Sequence, residues 1–208
     1  MEIGIIGGGN VGTGIAKLLV PKGHEIMLSF SKDAEKLAQT AKAFGAKSGS
    51  VAEAVAFGDV VVVATPWVAT KEALAQAGHP AGRKIVWDCT NALKPDLSGL
   101  AIGTTTSAAE EIQQAAPWAR VVKAIPPFAE AMHSGGVRIG DRGVGVFVAA
   151  DDAEAKRIVT ALVNDLGAEA TDVGPLTNAR YIEPACYLVV HLAYMQGWGT
   201  KIGLRLQR

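Results

Sequence analysis

Three glycines, Gly7, Gly9 and Gly12, stand directly behind the apolar run Ile3-Gly4-Ile5-Ile6. Their spacing suits one kind of chemistry. Gly7 allows a tight turn, Gly9 lets the backbone approach a ligand, and Gly12 lets a following helix pack closely on the preceding strand. Asn10 and Val11 fall in the first turn of that helix, where unpaired N–H groups and the helix dipole favour phosphate. A strand precedes the glycines and a helix follows them within about thirty residues, so the pattern reads as a dinucleotide pyrophosphate site.

The second group with chemical content is Ser29-Phe30-Ser31-Lys32, at the end of the next strand. An NAD site usually offers a carboxylate there, about twenty residues past the glycines, to bind the ribose hydroxyls. This chain offers the hydroxyls of Ser29 and Ser31 and the ammonium of Lys32, which suit the dianionic 2′-phosphate of NADP(H). Asp33 is better placed as the N-cap of the following helix than as a ribose ligand.

These residues need a scaffold, and the rest of the chain spells one out. Asp33 to Phe44 has helical spacing closed by Gly45, and Ser50-Val51-Ala52-Glu53 has the form of a capping box. Asp59 to Ala64 is a β-branched run fit for a strand buried on both faces, ended by Thr65-Pro66-Trp67. Helices are expected at Val68–Ala77, from the capping box Ser107-Ala108-Ala109-Glu110 to before Pro117, and from the cap Asp151-Asp152-Ala153-Glu154 to Gly167. Strands are expected at Lys84–Cys89, Val121–Ile125, Gly143–Ala150 and Ala168–Val173, with an irregular loop from Pro126 to Arg142. Repeated β-α-β order implies a Rossmann-type, doubly wound, mainly parallel α/β sheet. Ligands on such sheets bind outside the carboxyl ends of the strands. Gly7–Gly12, Ser29–Lys32, Thr65–Trp67 and Ala124–Phe128 should converge there.

A long apolar helix from about Asn178 to Gln196 closes the chain. Residues 1–174 are read as the nucleotide-binding domain and 175–208 as a C-terminal helical appendage. With little chain left to cover that helix, a homodimer burying it is expected.

Bulk properties exclude several classes. Lys and Arg number 20, Asp and Glu also 20, so no basic excess points to nucleic acid. The Tyr181–Met195 stretch contains Glu183, Pro184 and His191, which argues against membrane insertion. Met1 leads straight into the first strand and Cys89 and Cys186 form no C-x-x-C pair, so a cytoplasmic protein without a metal cluster is expected. No Ser-His-Asp order or carboxylate pair speaks for hydrolysis. His133 reads as an uninvolved loop histidine, His191 as a core or interface residue, Cys89 as a small core residue, and Trp87 and Trp118 as packing between sheet and helices.

Together the opening Ile-Gly-Gly-Gly-Asn-Val-Gly, His24-Glu25-Ile26, Ser31-Lys32, Thr65-Pro66-Trp67, Val121-Val122-Lys123-Ala124, Gly174-Pro175-Leu176-Thr177-Asn178-Ala179-Arg180 and Glu183 resemble the coenzyme F420-dependent NADP oxidoreductase family. The resemblance implies hydride transfer between the nicotinamide C4 of NADPH and C5 of the deazaflavin F420, in a homodimer joined through the C-terminal helix. It places Ser31 and Lys32 on the 2′-phosphate turn, Pro66 and Trp67 beside ribose and nicotinamide, and Ala124, Ile125 and Pro126 beside nicotinamide and deazaflavin. Similar domains serve as the NADPH-binding module of six-transmembrane ferric reductases. One stretch departs from the family pattern. Family members commonly carry Asn or His shortly after the Ala, where this chain has Ile125-Pro126-Pro127-Phe128. A small-molecule hydride acceptor other than F420, such as a ferric chelate or carbonyl compound, and a non-catalytic NADP-sensing module are the alternatives.

Overall fold

The computed structural model describes residues 1–78, 80–135 and 137–207. Its centre is an eight-stranded sheet in the order β10-β9-β6-β5-β4-β1-β2-β3. The strands are β1 (Glu2–Ile6), β2 (Glu25–Ser29), β3 (Lys47–Ser48), β4 (Val60–Val63), β5 (Lys84–Asp88), β6 (Ala119–Lys123), β9 (Gly145–Ala150) and β10 (Glu169–Asp172). Strands β3 to β6 reproduce the 3-2-1-4-5-6 order of a dinucleotide-binding sheet. Every pairing is parallel except β6 with β9. The mainly parallel, Rossmann-type sheet expected from the sequence is therefore present.

The helices α1 (Asn10–Leu19), α2 (Ala34–Ala43), α3 (Val51–Phe57), α4 (Trp67–Ala75), α5 (Ala108–Ala115) and α7 (Ala153–Asp165) cover the two faces. Two apolar clusters result, one on each face. The larger joins Ile15 and Leu19 of α1 to Ile3, Ile5, Val60 and Val62, and runs on to Val159 and Leu162 of α7. The other joins Val61, Val63, Val86 and Val121 to Val51, Leu74 and Ile112. All four valines of β4 are fully buried, as a strand covered on both faces requires.

Local signals explain the helix starts. Asp33 accepts the Lys36 N–H at 2.9 Å, so it caps α2 as its position suggested. Ser50 and Glu53 close a complete capping box on α3. Asp152 accepts the Ala155 N–H and starts α7. Ser107 caps α5 by accepting the Glu110 N–H, and the Glu110 carboxylate accepts both the Ser107 hydroxyl at 2.8 Å and the Arg180 guanidinium rather than the Ser107 backbone N–H.

The irregular loop expected over Pro126–Arg142 is more ordered than that. It contains α6 (Ala129–His133) and a small antiparallel hairpin of β7 (Arg138–Ile139) with β8 (Arg142–Gly143). Helix α6 is five residues long, too short to show a period in sequence. The last helix also divides. It runs as α8 (Ala179–Val190) and then a π-helical turn, His191–Met195. Ala179, Ile182 and Glu183 are buried in the body of the protein, whereas Tyr181, Leu188, Tyr194, Met195 and Trp198 are exposed. Among the described residues no helix is long and apolar enough to cross a membrane.

Candidate active site

The glycine turn sits at the carboxyl end of β1, between β2 and β4. Gly7 has φ +132°, and a Cβ there would lie 2.4 Å from the Ala64 carbonyl oxygen. A Cβ on Gly12 would lie 2.0 Å from the Gly7 carbonyl oxygen, so the helix can approach the turn only without a side chain. At Gly9 the space is open, and no side chain caps the start of α1. This open helix N-terminus with its unscreened N–H groups fits a pyrophosphate.

The β2 end adjoins this turn. The Gly7 N–H donates to the Ser29 carbonyl at 3.0 Å and the Gly8 N–H to the Phe30 carbonyl at 3.1 Å. A Cβ on Gly8 would lie 3.3 Å from the Ser31 Cβ, which places Ser31 against the glycine loop. Ser31 and Lys32 are exposed to solvent beside it. Ser29 requires a correction: it is fully buried and donates its hydroxyl to the Ile5 carbonyl at 2.8 Å. Its side chain is spent within the sheet, and its carbonyl holds the turn. Sequence reasoning also missed Phe30, a non-glycine residue at φ +56°. That sparsely populated conformation redirects the chain so that Ser31 and Lys32 leave the sheet beside the glycines.

The opposite half of the crevice is a cavity of about 490 Å³. Gly9, Asn10, Val11, Thr65, Pro66, Ile125 and Pro126 line it, together with Cys89-Thr90-Asn91, Val144–Phe147, Cys186, Val190 and the tail segment Ile202–Leu204. Leu204 accepts the Gly145 N–H at 2.8 Å, which seats that tail against β9. Trp67 and Ala124 are not on the lining. Trp67 packs onto the core of its own face. Ala124 is fully buried, its N–H bonded to the Asp88 carbonyl and its carbonyl to Trp87 Nε1 at 2.7 Å.

The walls are mostly apolar; among the described residues they carry Glu130 but no Lys, Arg or His. Arg138 and Arg142 stand outside on the β7–β8 hairpin. At the mouth, Phe128 and Tyr194 meet edge to face with centroids 5.7 Å apart. The Tyr194 hydroxyl donates to Glu130 at 3.0 Å. Burial, then that carboxylate, pushes the Tyr194 phenol up to about 12. Burial, with a smaller push from Glu183, takes the Cys186 thiol up to about 12, and burial with Asp88 takes the deeply buried Cys89 thiol well up, in both cases against the pull of Lys123. Both thiols therefore stay neutral.

His133 is not the uninvolved loop residue that was expected. Its Nε2 lies 2.9 Å from the Asn10 carbonyl and 3.3 Å from the Thr13 hydroxyl, and its carbonyl accepts from Lys17. With fully buried Met132 packed against Gly14, it clamps α6 onto the glycine-loop helix.

Beneath the cavity floor lies a cluster that the linear reading passed over. Lys123 is fully buried, with Nζ 2.8 Å from Asp88, 2.9 Å from Glu183 and 2.6 Å from the Thr90 carbonyl. Glu183 also accepts the Ala108 and Ala109 N–H groups at the start of α5. Burial works against the ammonium, but the two carboxylates outweigh it and hold the Lys123 pKa above its ordinary value. The signal was available in principle. Asp88 and Lys123 each close an apolar strand, and a charge so placed must find a partner.

The comparisons agree with this geometry. Residues 2–92 match the model of a family described as NADP oxidoreductase, coenzyme F420-dependent. A candidate F420-dependent NADP reductase from Arthrobacter sp. FB24 superposes with a TM-score of 0.87 at 28% identity, covering 100% of both chains. A hypothetical protein from Sinorhizobium meliloti gives 0.76 at 22% identity, over 100% of this chain and 95% of its own. An imine reductase from Streptomyces aurantiacus gives 0.71 at 15% identity, over 95% of this chain and 64% of its own, and so shares the fold. The family model and the Arthrobacter structure support an NADP-dependent oxidoreductase, and the other two show the fold. The likeness read from the motifs thus stands: over residues 2–92 this chain is matched by the coenzyme F420-dependent NADP oxidoreductase family.

Proposed function

We propose that this protein transfers hydride between NADP(H) and a flat, flavin-like acceptor of the F420 type. The observation that carries the reading is the pairing of two unlike halves in one crevice. One is an open helix N-terminus with Ser31 and Lys32 beside it; the other is a mostly apolar cavity at the ends of β4, β5 and β6, with no cationic side chain among its described lining residues.

In this reading the backbone at Gly9, Asn10 and Val11 takes the pyrophosphate, with Gly7 and Gly12 shaping the turn. Ser31 and Lys32 take the 2′-phosphate. Thr65, Pro66, Ile125 and Pro126 form walls that hold nicotinamide and acceptor face to face and exclude water. When bound, NADPH supplies the hydride, and a two-electron acceptor such as F420 takes that hydride plus a proton from solvent, leaving NADP⁺. No acid or base in the protein is required. The exposed Tyr181, Leu188, Met195 and Trp198 belong to a homodimer contact through the C-terminal helix.

A second reading, reduction of a neutral carbonyl or imine, is favoured by Ile125-Pro126-Pro127-Phe128 and by a mostly apolar lining whose charged residue, Glu130, is an anion. The same lining disfavours anionic ferric chelates. Anaerobic turnover of NADPH with F420, FMN, cyclic imines, ketones and ferric citrate separates these. Turnover on F420 or FMN is expected; turnover only on a carbonyl or imine replaces the first reading by the second. Absence of turnover on every acceptor, with NADPH bound, would leave a non-catalytic binding module.

A further inference from the structure

The turn after β5 leaves two polar atoms with nothing to bond. Thr90 Oγ1 and Asn91 Oδ1 are buried and have no hydrogen-bond partner, and both residues line the cavity. Thr90 is only 2% exposed. Every other polar group of the turn that bears on its position is committed. The Thr90 N–H donates to Asp88 at 2.8 Å, and the Thr90 carbonyl accepts from Lys123. Asn91 Nδ2 donates to the Glu183 carbonyl at 3.2 Å. That bond fixes which way the Asn91 amide faces, since only the NH₂ end can serve a carbonyl. Oδ1 is therefore the free end, an acceptor awaiting an N–H.

Adjacent buried orphans on a cavity wall are rare in folded proteins, where such groups are nearly always satisfied. Here the buried ions Lys123, Asp88 and Glu183 hold them rigidly unsatisfied. A rigid acceptor beside a hydroxyl that can donate is complementary to an amide, an N–H next to a C=O. We infer that Thr90 and Asn91 form a recognition subsite for the amide of a bound ring. The subsite rests on the dinucleotide-and-acceptor reading of the crevice. Two rings can bring that amide: the carboxamide of nicotinamide, and the lactam edge of a flavin-like acceptor. Lys123, Asp88 and Glu183 are positioning residues for it.

Calorimetric titration tests this without turnover. The ligands are NADP⁺, its 3-acetylpyridine analogue, which keeps the C=O but replaces NH₂ by methyl, and 2′,5′-ADP, which lacks the ring. Wild type is compared with Asn91→Leu and with Thr90→Val, a near-isostere that keeps the fold testable. If the carboxamide is read, wild type prefers NADP⁺ over the analogue by about fivefold or more. Asn91→Leu abolishes that preference and Thr90→Val weakens both, while 2′,5′-ADP affinity stays unchanged. If the acceptor is read, nucleotide affinities are unaffected and the KM for FMN or F420 rises by a similar factor in both variants. Unchanged ligand affinities and unchanged KM in both variants, with 2′,5′-ADP still bound, would overturn the subsite alone. Failure of wild type to bind 2′,5′-ADP would overturn the nucleotide reading and the subsite with it.

Discussion

Lys32 and Lys123 show how differently one residue type can act. Lys32 is exposed beside the glycine turn, where its side chain is free to reach a 2′-phosphate. Lys32→Ala should weaken NADPH binding by about 10- to 100-fold, the worth of one charge-assisted bond, and leave NADH nearly unchanged. Equal loss for both would remove it from the 2′-phosphate site. Lys123 is enclosed by Asp88 and Glu183 and leaves no charge for a ligand. Lys123→Met strands two buried carboxylates and should cost about 3–5 kcal/mol, whereas neutralising all three together should recover much of that. Chemical denaturation of the single and triple variants measures it. Because the Lys123 pKa is raised on folding, its contribution is complete below the unfolded value of about 10.4 and is lost as pH rises through the folded one. Lys123→Met should accordingly flatten the alkaline limb of the stability profile.

At the scale of elements, much of this arrangement could be read from the chain. The strand–glycines–helix run, the buried valine strand, and the starts at Asp33, Ser50 and Asp151-Asp152 are local patterns with local causes, and they reappear as β1, α1, β4, α2, α3 and α7. What escaped depends on partners far along the chain. Ser29 looked like a ligand because its hydroxyl stands at the right strand end, but the neighbouring β1 carbonyl claims it. Ala124 and Trp67 stand at the expected end of the sheet, after β6 and at the start of α4, but off the cavity lining. His133 gains its role only when α6 lies against α1, and Phe30's left-handed backbone leaves no mark in composition.

Close approach of α1 to the turn gives a sharper element-scale test. Gly12→Ala would drive a methyl to 2.0 Å from the Gly7 carbonyl, so loss of pyrophosphate binding and a lower melting temperature are expected together. The seat of α8 responds to acid. Arg180 hydrogen-bonds Glu110 in bidentate fashion and lowers its pKa. That stabilisation is present above the unfolded value of about 4.3 and is lost as pH falls through the folded one. Hydrogen exchange of α8 should therefore quicken below pH about 4 in wild type, and Glu110→Gln should remove the pH step.

The whole molecule joins a nucleotide half, a ring-sized apolar half and an exposed apolar helix. The proposed helix contact predicts a wild-type dimer by light scattering, and Leu188→Glu, at a position 54% exposed, should fold normally yet elute as a monomer. A dimer that survives the change would place the contact elsewhere. The joining of the two halves is tested by where the hydride goes. In a single anaerobic turnover with NADPH deuterated at the nicotinamide C4 position and F420 as acceptor, deuterium is expected at C5 of the reduced deazaflavin, with one NADP⁺ formed per F420 consumed. F420 left oxidised, or reduced without the label from either face of the nicotinamide, would contradict direct transfer within the crevice.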